Sequence, residues 1–216
     1  GSSLTNISEF IYMWGVDTTI ENGVPVSTAN SVLGTEADRK TRDIPYDLFE
    51  KTPNIKNLNN AFAETRYKTI PGSLFDPIKN SLESLNCTFV SCTSLTTVGK
   101  ELLRNKSKLK DCTGTFSGCT SLKEFINEDP QIFLGSSAIT TTNQMFRNCS
   151  SLITGTNGLN KIFDPLINAT TFEFMFYGCS AMTAKIPNGL LSKNIRLTRI
   201  DGLFCYCSKI SSLPER

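Results

Sequence analysis

The sequence predicts an α/β fold: a solenoid of about six coils with short parallel strands and short helical turns, behind an N-terminal cap segment. Three observations predict it. The phrase F-x-x-C-x-x-L recurs at Phe89, Cys92 and Leu95, at Phe116, Cys119 and Leu122, and at Phe146, Cys149 and Leu152. It returns at Phe176, Cys179 and Met182 and at Phe204, Cys207 and Ile210. With a degenerate copy at Phe62, where Thr65 replaces the cysteine, the phenylalanines fall 27, 27, 30, 30 and 28 residues apart. A second phrase, I-P-x-x-L-F, keeps the same period, and a third places apolar residues seven and four positions before each phenylalanine.

Residues 1–40 stand outside the repeat. Phe10, Ile11, Tyr12, Met13 and Trp14 form an apolar cluster that reads as a strand or short helix. Gly23-Val24-Pro25-Val26 reads as a turn leading into an extended piece. An open end of a repeat stack exposes core, so this segment is assigned as the cap or lead-in, with Trp14 among its packing residues. The solenoid is assigned to residues 41–216 and begins near Ile44-Pro45-Tyr46-Asp47-Leu48-Phe49. That phrase returns at Ile70 to Phe75, and more loosely at Val98 to Leu103 and Ile186 to Leu191. In the two 30-residue repeats its slot falls to Pro130 to Phe133 and Leu159 to Phe163, with the extra residues just before it. Insertions confined to one part of a repeat map to loops on one face.

Leu95 to Val98 is too short for a helix and suits a strand, which the proline of several copies would end. The L-F phrase then starts a short helix, since proline is tolerated in a first turn. The apolar pairs Ile55 and Leu58, Leu82 and Leu85, Leu109 and Cys112, and Leu197 and Ile200 fit either a helix or successive inward turns of a tight coil. One strand plus helical turns per repeat is the build of a leucine-rich-repeat coil. Successive strands would pair in parallel about 4.8 Å apart, giving a sheet roughly 25 to 30 Å long.

Two stretches, Thr115-Phe116-Ser117-Gly118-Cys119-Thr120-Ser121-Leu122 and Met175-Phe176-Tyr177-Gly178-Cys179-Ser180, carry a family resemblance. Together with I-P-x-x-L-F they resemble the BspA-like leucine-rich repeats of bacterial surface proteins, in the variant of mycoplasma-type surface-protein repeats. The resemblance covers roughly residues 41–216 and is specific for fold, not function. It implies an exported, cell-surface molecule that binds a protein or glycan of a host or neighbouring cell. The chain begins with Gly1, which reads as a scar of tag removal, and stops at Leu213-Pro214-Glu215-Arg216, the start of another strand phrase. The expectation is a monomeric piece of a longer exported protein.

Composition narrows the function. With 22 basic and 20 acidic residues the net charge is +2, so no field favours nucleic acid or anionic lipid. No apolar run approaches the roughly 20 residues of a membrane span. Histidine is absent, which removes the commonest general base and metal ligand. Cys92, Cys119, Cys149, Cys179 and Cys207 share one repeat position and are expected as a column of buried free thiols acting as small hydrophobes. Cys112 is expected in the core, and a Cys87–Cys112 bridge is the less favoured alternative. Cys205 and Cys207 form C-x-C, but a zinc site would lack its four ligands.

The carboxylates Asp111, Asp129, Asp164, Glu173 and Asp201 show no close pair, and no G-x-S-x-G elbow or phosphate-cradling loop is present. The reading is therefore a non-enzymatic module without cofactor or metal. A carbohydrate hydrolase with a loop-built carboxylate pair and a structural spacer are the alternatives. The expected partner face comprises the variable residues of the strand phrases: Thr96, Thr97, Lys123, Glu124, Thr183, Ala184, Ser211 and Ser212.

Overall fold

The computed structural model describes residues 18–21, 24–27, 44, 46–123, 125, 131–153 and 159–210. The expected cluster Phe10 to Trp14 and the closing Leu213 to Arg216 lie outside them. Strands β1 (Thr18–Glu21) and β2 (Val24–Ser27) pair antiparallel, with Thr18 opposite Ser27 and Glu21 opposite Val24. The extended piece expected from Val24 onward is thus a strand.

From Phe49 onward the repeats lie on one another. Asn57, Ser84, Asp111, Thr141, Thr171 and Arg199 are joined in that order by parallel single-residue bridges. Each stands five residues before one of the six phenylalanines, so bridges and phenylalanines share one spacing. The backbone around each phenylalanine divides its hydrogen bonds between two directions. The amides of Leu85, Cys87, Phe89 and Ser91 donate to the carbonyls of Asp111, Thr113, Thr115 and Ser117 in the next repeat, at 2.7–2.8 Å. The intervening amides of Thr88, Val90 and Cys92 bond three residues back within their own repeat, to Leu85, Cys87 and Phe89. Alternate peptide groups therefore bind the stack together while the others close local turns, and few backbone groups are left unpaired.

This alternation fixes two left-handed residues per repeat. One lies two residues before the phenylalanine: Asn60, Cys87, Gly114, Gln144, Phe174 and Gly202, with φ between 52° and 62°. The other lies two residues after it: Glu64, Ser91, Gly118, Asn148, Gly178 and Tyr206, with φ between 57° and 77°. Glycine takes this conformation without steric penalty, which explains F-x-G-C at Gly118 and Gly178. A bulky residue there, such as Phe174, is held by the inter-repeat bonds on either side of it.

The core is a set of columns. Phe62, Phe89, Phe116, Phe146, Phe176 and Phe204 stack with neighbouring ring centroids 5.0–5.8 Å apart and planes within 3°–12° of parallel. Such offset pairs add roughly 0.5–1.5 kcal/mol each beyond the area they bury. Phe49, Phe75, Leu103, Phe133 and Phe163 of the L-F phrase are buried beside them. Ile55 and Leu58, Leu82 and Leu85, and Leu109 and Cys112 are buried too, in the non-helical segments on either side of each bridge residue, so that phrase supplies inward steps of a coil and not a helix.

Two expectations change. The L-F phrases fold as turns, with one helix among the described residues, α1 (Leu159–Phe163). Among the described residues the strand phrase forms one strand pair, β3 (Thr69–Ile70) in parallel with β4 (Thr97–Val98). The line of contact that runs through all six repeats is the bridge column five residues ahead of each phenylalanine, because that is where alternate peptide groups point along the stack.

Candidate partner-binding faces

The cysteine column lies inside. Cys92, Cys119, Cys149, Cys179 and Cys207 are buried, Cys112 is buried beside them, and all eight cysteines are free. The thiols also form directed bonds. Each donates to the carbonyl of the phenylalanine one repeat earlier: Cys92 to Phe62, Cys119 to Phe89 and Cys149 to Phe116 at 3.1 Å, Cys179 to Phe146 at 3.0 Å, and Cys207 to Phe176 at 2.9 Å. In the degenerate copy Thr65 makes a different bond: its hydroxyl donates to Phe62 of its own repeat at 2.9 Å and meets the Cys92 thiol at 3.3 Å. Burial raises the Cys112, Cys149 and Cys179 thiols well above their ordinary range and pushes Cys207 up to about 11, so these four stay protonated at neutral pH. Cys87 is half-buried and Cys205 exposed.

Of the face expected from the strand phrases, Thr96, Lys123 and Thr183 are exposed and Thr97 is half-buried in β4. Ala184 is buried in the core and offers nothing to a partner, because its small side chain packs inward. Glu124, Ser211 and Ser212 lie outside the described residues. Backbone bonds link this line across the early repeats, from Thr96 and Thr97 to Lys68 and from Lys123 to Thr96.

A longer polar surface runs along the bridge column. Six residues before each phenylalanine stand Lys56, Glu83, Lys110, Thr140, Thr170 and Thr198. Glu83 pairs with Lys56 at 3.3 Å and Lys110 at 3.4 Å, and Lys56 foremost holds its carboxyl below the usual range. The threonines form a ladder of hydroxyls, each donating to the carbonyl of the repeat before: Thr140 to Lys110 at 3.2 Å, Thr170 to Thr140 at 3.3 Å and Thr198 to Thr170 at 3.0 Å. Beside them a side-chain network crosses every repeat. Ser84 donates to Asn59 at 2.6 Å, Asn86 to Asp111 at 3.2 Å, Thr171 to Asn143 at 2.8 Å and Asn143 to Glu173 at 3.2 Å. Thr113 and Thr141 hydroxyls meet at 3.3 Å, and Arg199 closes the row on Glu173. Sequence reasoning missed this ribbon because its residue types vary from repeat to repeat. The signal that could have found it was the constant five-residue offset from the phenylalanines.

A surface cavity of about 210 Å³ is lined by Asp76, Lys79, Glu101, Arg104 and Asn105. Its two carboxylates are committed to cations. Asp76 takes the buried Lys106 ammonium at 3.2 Å, which also donates to the Arg104 carbonyl at 2.8 Å, and Glu101 takes Arg104 at 3.2 Å through both oxygens. Among the described residues no three or more cysteine, aspartate or glutamate side chains gather as a metal site, and no helix is long and apolar enough to cross a membrane.

These features define a repeat fold with polar faces. No protein-family profile matches the chain, and no curated protein matches it. Among solved structures it is similar to a leucine-rich repeat protein from Bacteroides ovatus ATCC 8483, at 17% identity over 60% of this chain and 40% of that one. The TM-score is 0.25, a likeness too slight to define a shared fold. The matched region spans well under half of that protein's length.

Proposed function

We propose that residues 41–216 form a leucine-rich-repeat solenoid of about six coils behind a lead-in at residues 1–40, and that the chain is a non-enzymatic interaction module. In this reading it is exported to a cell surface and binds a protein or glycan along one long face. The observation that carries the reading is the polar ribbon from Lys56 to Arg199, which crosses all six bridged repeats while the column thiols stay buried and the cavity carboxylates stay paired. Extended faces of repeat stacks suit extended partners, since each repeat adds equivalent donors and acceptors in register. The export and the partner class rest on the resemblance of the F-x-G-C-x-S-L phrases to bacterial surface repeats.

The test is a screen of the immobilised protein against a glycan array and a panel of extracellular proteins. It is repeated with a double variant, Thr140→Arg with Thr170→Arg, at two exposed positions. Binding lost in the variant with an unchanged circular dichroism spectrum is the expected outcome. Binding that survives there, and is lost instead on changing Thr96, Lys123 and Thr183, would move the site to the strand-phrase face. Release of sugar from any glycan, abolished by Asp76→Asn or Glu101→Gln, would replace the reading with a hydrolase.

A further inference from the structure

We infer that Asn188 is a site of spontaneous modification, where the side-chain amide is converted to a carboxylate through a ring closed by the Gly189 nitrogen. The conversion asks for a backbone amide free to attack, a carboxamide free to turn towards it, and room on the residue that follows. Asn188-Gly189 meets all three. Both residues are exposed. Neither the Gly189 amide nor the Asn188 side chain makes a hydrogen bond among the described residues. Beyond its chain neighbours, a Cβ at Gly189 would meet only the Ser192 side chain within 4 Å, so the turn around it is open. Glycine itself has no side chain to crowd the ring.

The fold withholds those conditions elsewhere. Asn80 is also exposed and precedes a small serine, but the Ser81 amide is bound to the Ile78 carbonyl at 3.0 Å. The amide after Asn86 is bound to Thr113 and that after Asn143 to Glu173, both at 2.8 Å, by the bonds that join repeat to repeat. The amides after Asn54, Asn57, Asn105, Asn148 and Asn168 are donors too. Asn194 precedes an amide with no partner among the described residues. It is buried, however, and its carboxamide is held by the Phe163 and Leu166 carbonyls at 3.0 and 2.9 Å. A backbone that uses alternate amides for stacking and the others for turns shields its asparagines, and Asn188 falls where that pattern lapses. Asn22-Gly23 and Asn157-Gly158 lie outside the described residues.

The chemistry needs only water. The Gly189 nitrogen gives up its proton and bonds to the side-chain carbonyl carbon of Asn188. The bond from that carbon to the amide nitrogen breaks, and ammonia leaves. Water then opens the imide ring at either carbonyl, leaving aspartate, or isoaspartate in which the main chain runs through the side-chain carbon. Either product adds a carboxylate and lowers the net charge of +2 by one. Isoaspartate also lengthens the main chain at the turn that Ser192 closes on the Gly189 carbonyl at 2.9 Å, beside the buried Leu190.

The experiment holds the full chain at neutral and at mildly alkaline pH, native and in guanidinium chloride, and maps its peptides by mass over weeks. In the native chain, conversion at Asn188 is expected to run ahead of that at Asn80, Asn86 and Asn143 and to quicken with pH. Denaturant should narrow its lead over Asn80 by about tenfold or more, because the local opening that a bonded amide requires is then complete. Gly189→Ala should slow the conversion, with an unchanged circular dichroism spectrum as the check on folding. Amide exchange at Ser192 should be faster in the isoaspartate form than in the fresh protein. Native conversion of Asn188 no faster than that of Asn80, or a lead that denaturant leaves as it was, overturns the inference.

Discussion

A thiol suits its column because it is small enough to bury and still donates one hydrogen bond. The Phe116 carbonyl accepts the Cys149 amide's counterpart in its own repeat, Cys119, at 3.1 Å, and the Cys149 thiol from the next repeat, also at 3.1 Å. Cys149→Ala removes the second donor and leaves a small void, and should cost about 1–3 kcal/mol in urea denaturation. Cys149→Thr should recover part of that loss, since a hydroxyl there can donate to the same carbonyl. The thiols also set a pH limit. An unfolded cysteine ionises near 9.0, while folded Cys207 holds its proton to about 11 and the deeper thiols hold theirs longer. Raised folded values mean that stability is fully present below pH 9 and is lost as pH climbs towards 11. Thermal melts between neutral and strongly alkaline pH check this, with a falling midpoint expected only above the ordinary thiol value. The burial of these cysteines could be read from their shared period. The bond to Phe62, Phe89 or Phe116 could not, because it depends on where the backbone of the preceding repeat aims its carbonyl.

The phenylalanine column is the element on which the repeats register. Phe116 lies between Phe89 and Phe146, with centroids at 5.5 Å and 5.8 Å, and Phe125 meets it edge-on at 5.4 Å. Phe116→Ala should lose about 3–5 kcal/mol, read as a large drop in the denaturation midpoint. A shift of only a degree or so would contradict its burial. This column was legible in the sequence because one residue type recurs with one period. The turns around it were not. Asn60, Glu64, Cys87, Ser91, Phe174 and Tyr206 share the left-handed conformation of Gly114 and Gly118, so composition does not mark it. Inter-repeat hydrogen bonds impose that conformation whatever the side chain. The expected helices failed for a related reason. Amides such as Leu74 and Asp76 close on carbonyls three residues back, at Pro71 and Ser73, so the L-F phrase is spent in single turns except at Leu159–Phe163.

Across the whole molecule, stability should follow the number of neighbours a repeat has. Repeats that contact only their neighbours unfold most readily at a free end. Amide exchange should therefore be slowest at Phe89, Phe116 and Phe146, bonded on both sides, and fastest between residues 199 and 210. Uniform protection along the stack would show instead that the last repeat is held by something beyond its one neighbour. The 30-residue repeats keep the bridge and ring columns unbroken at Phe146 and Phe176, and the stretches just before Gln131 and Leu159, where the extra residues were expected, lie outside the described residues. The alternating backbone has an electrical consequence. In an ordinary sheet the peptide dipoles of a strand largely cancel. Here the amides around each phenylalanine, such as Phe89 to Thr115, aim N–H towards the C-terminal end, while those of the adjoining column, such as Lys110 to Glu83 and Thr140 to Lys110, aim it back. The two columns partly offset each other, so the polarity a charged group meets depends on which column it approaches.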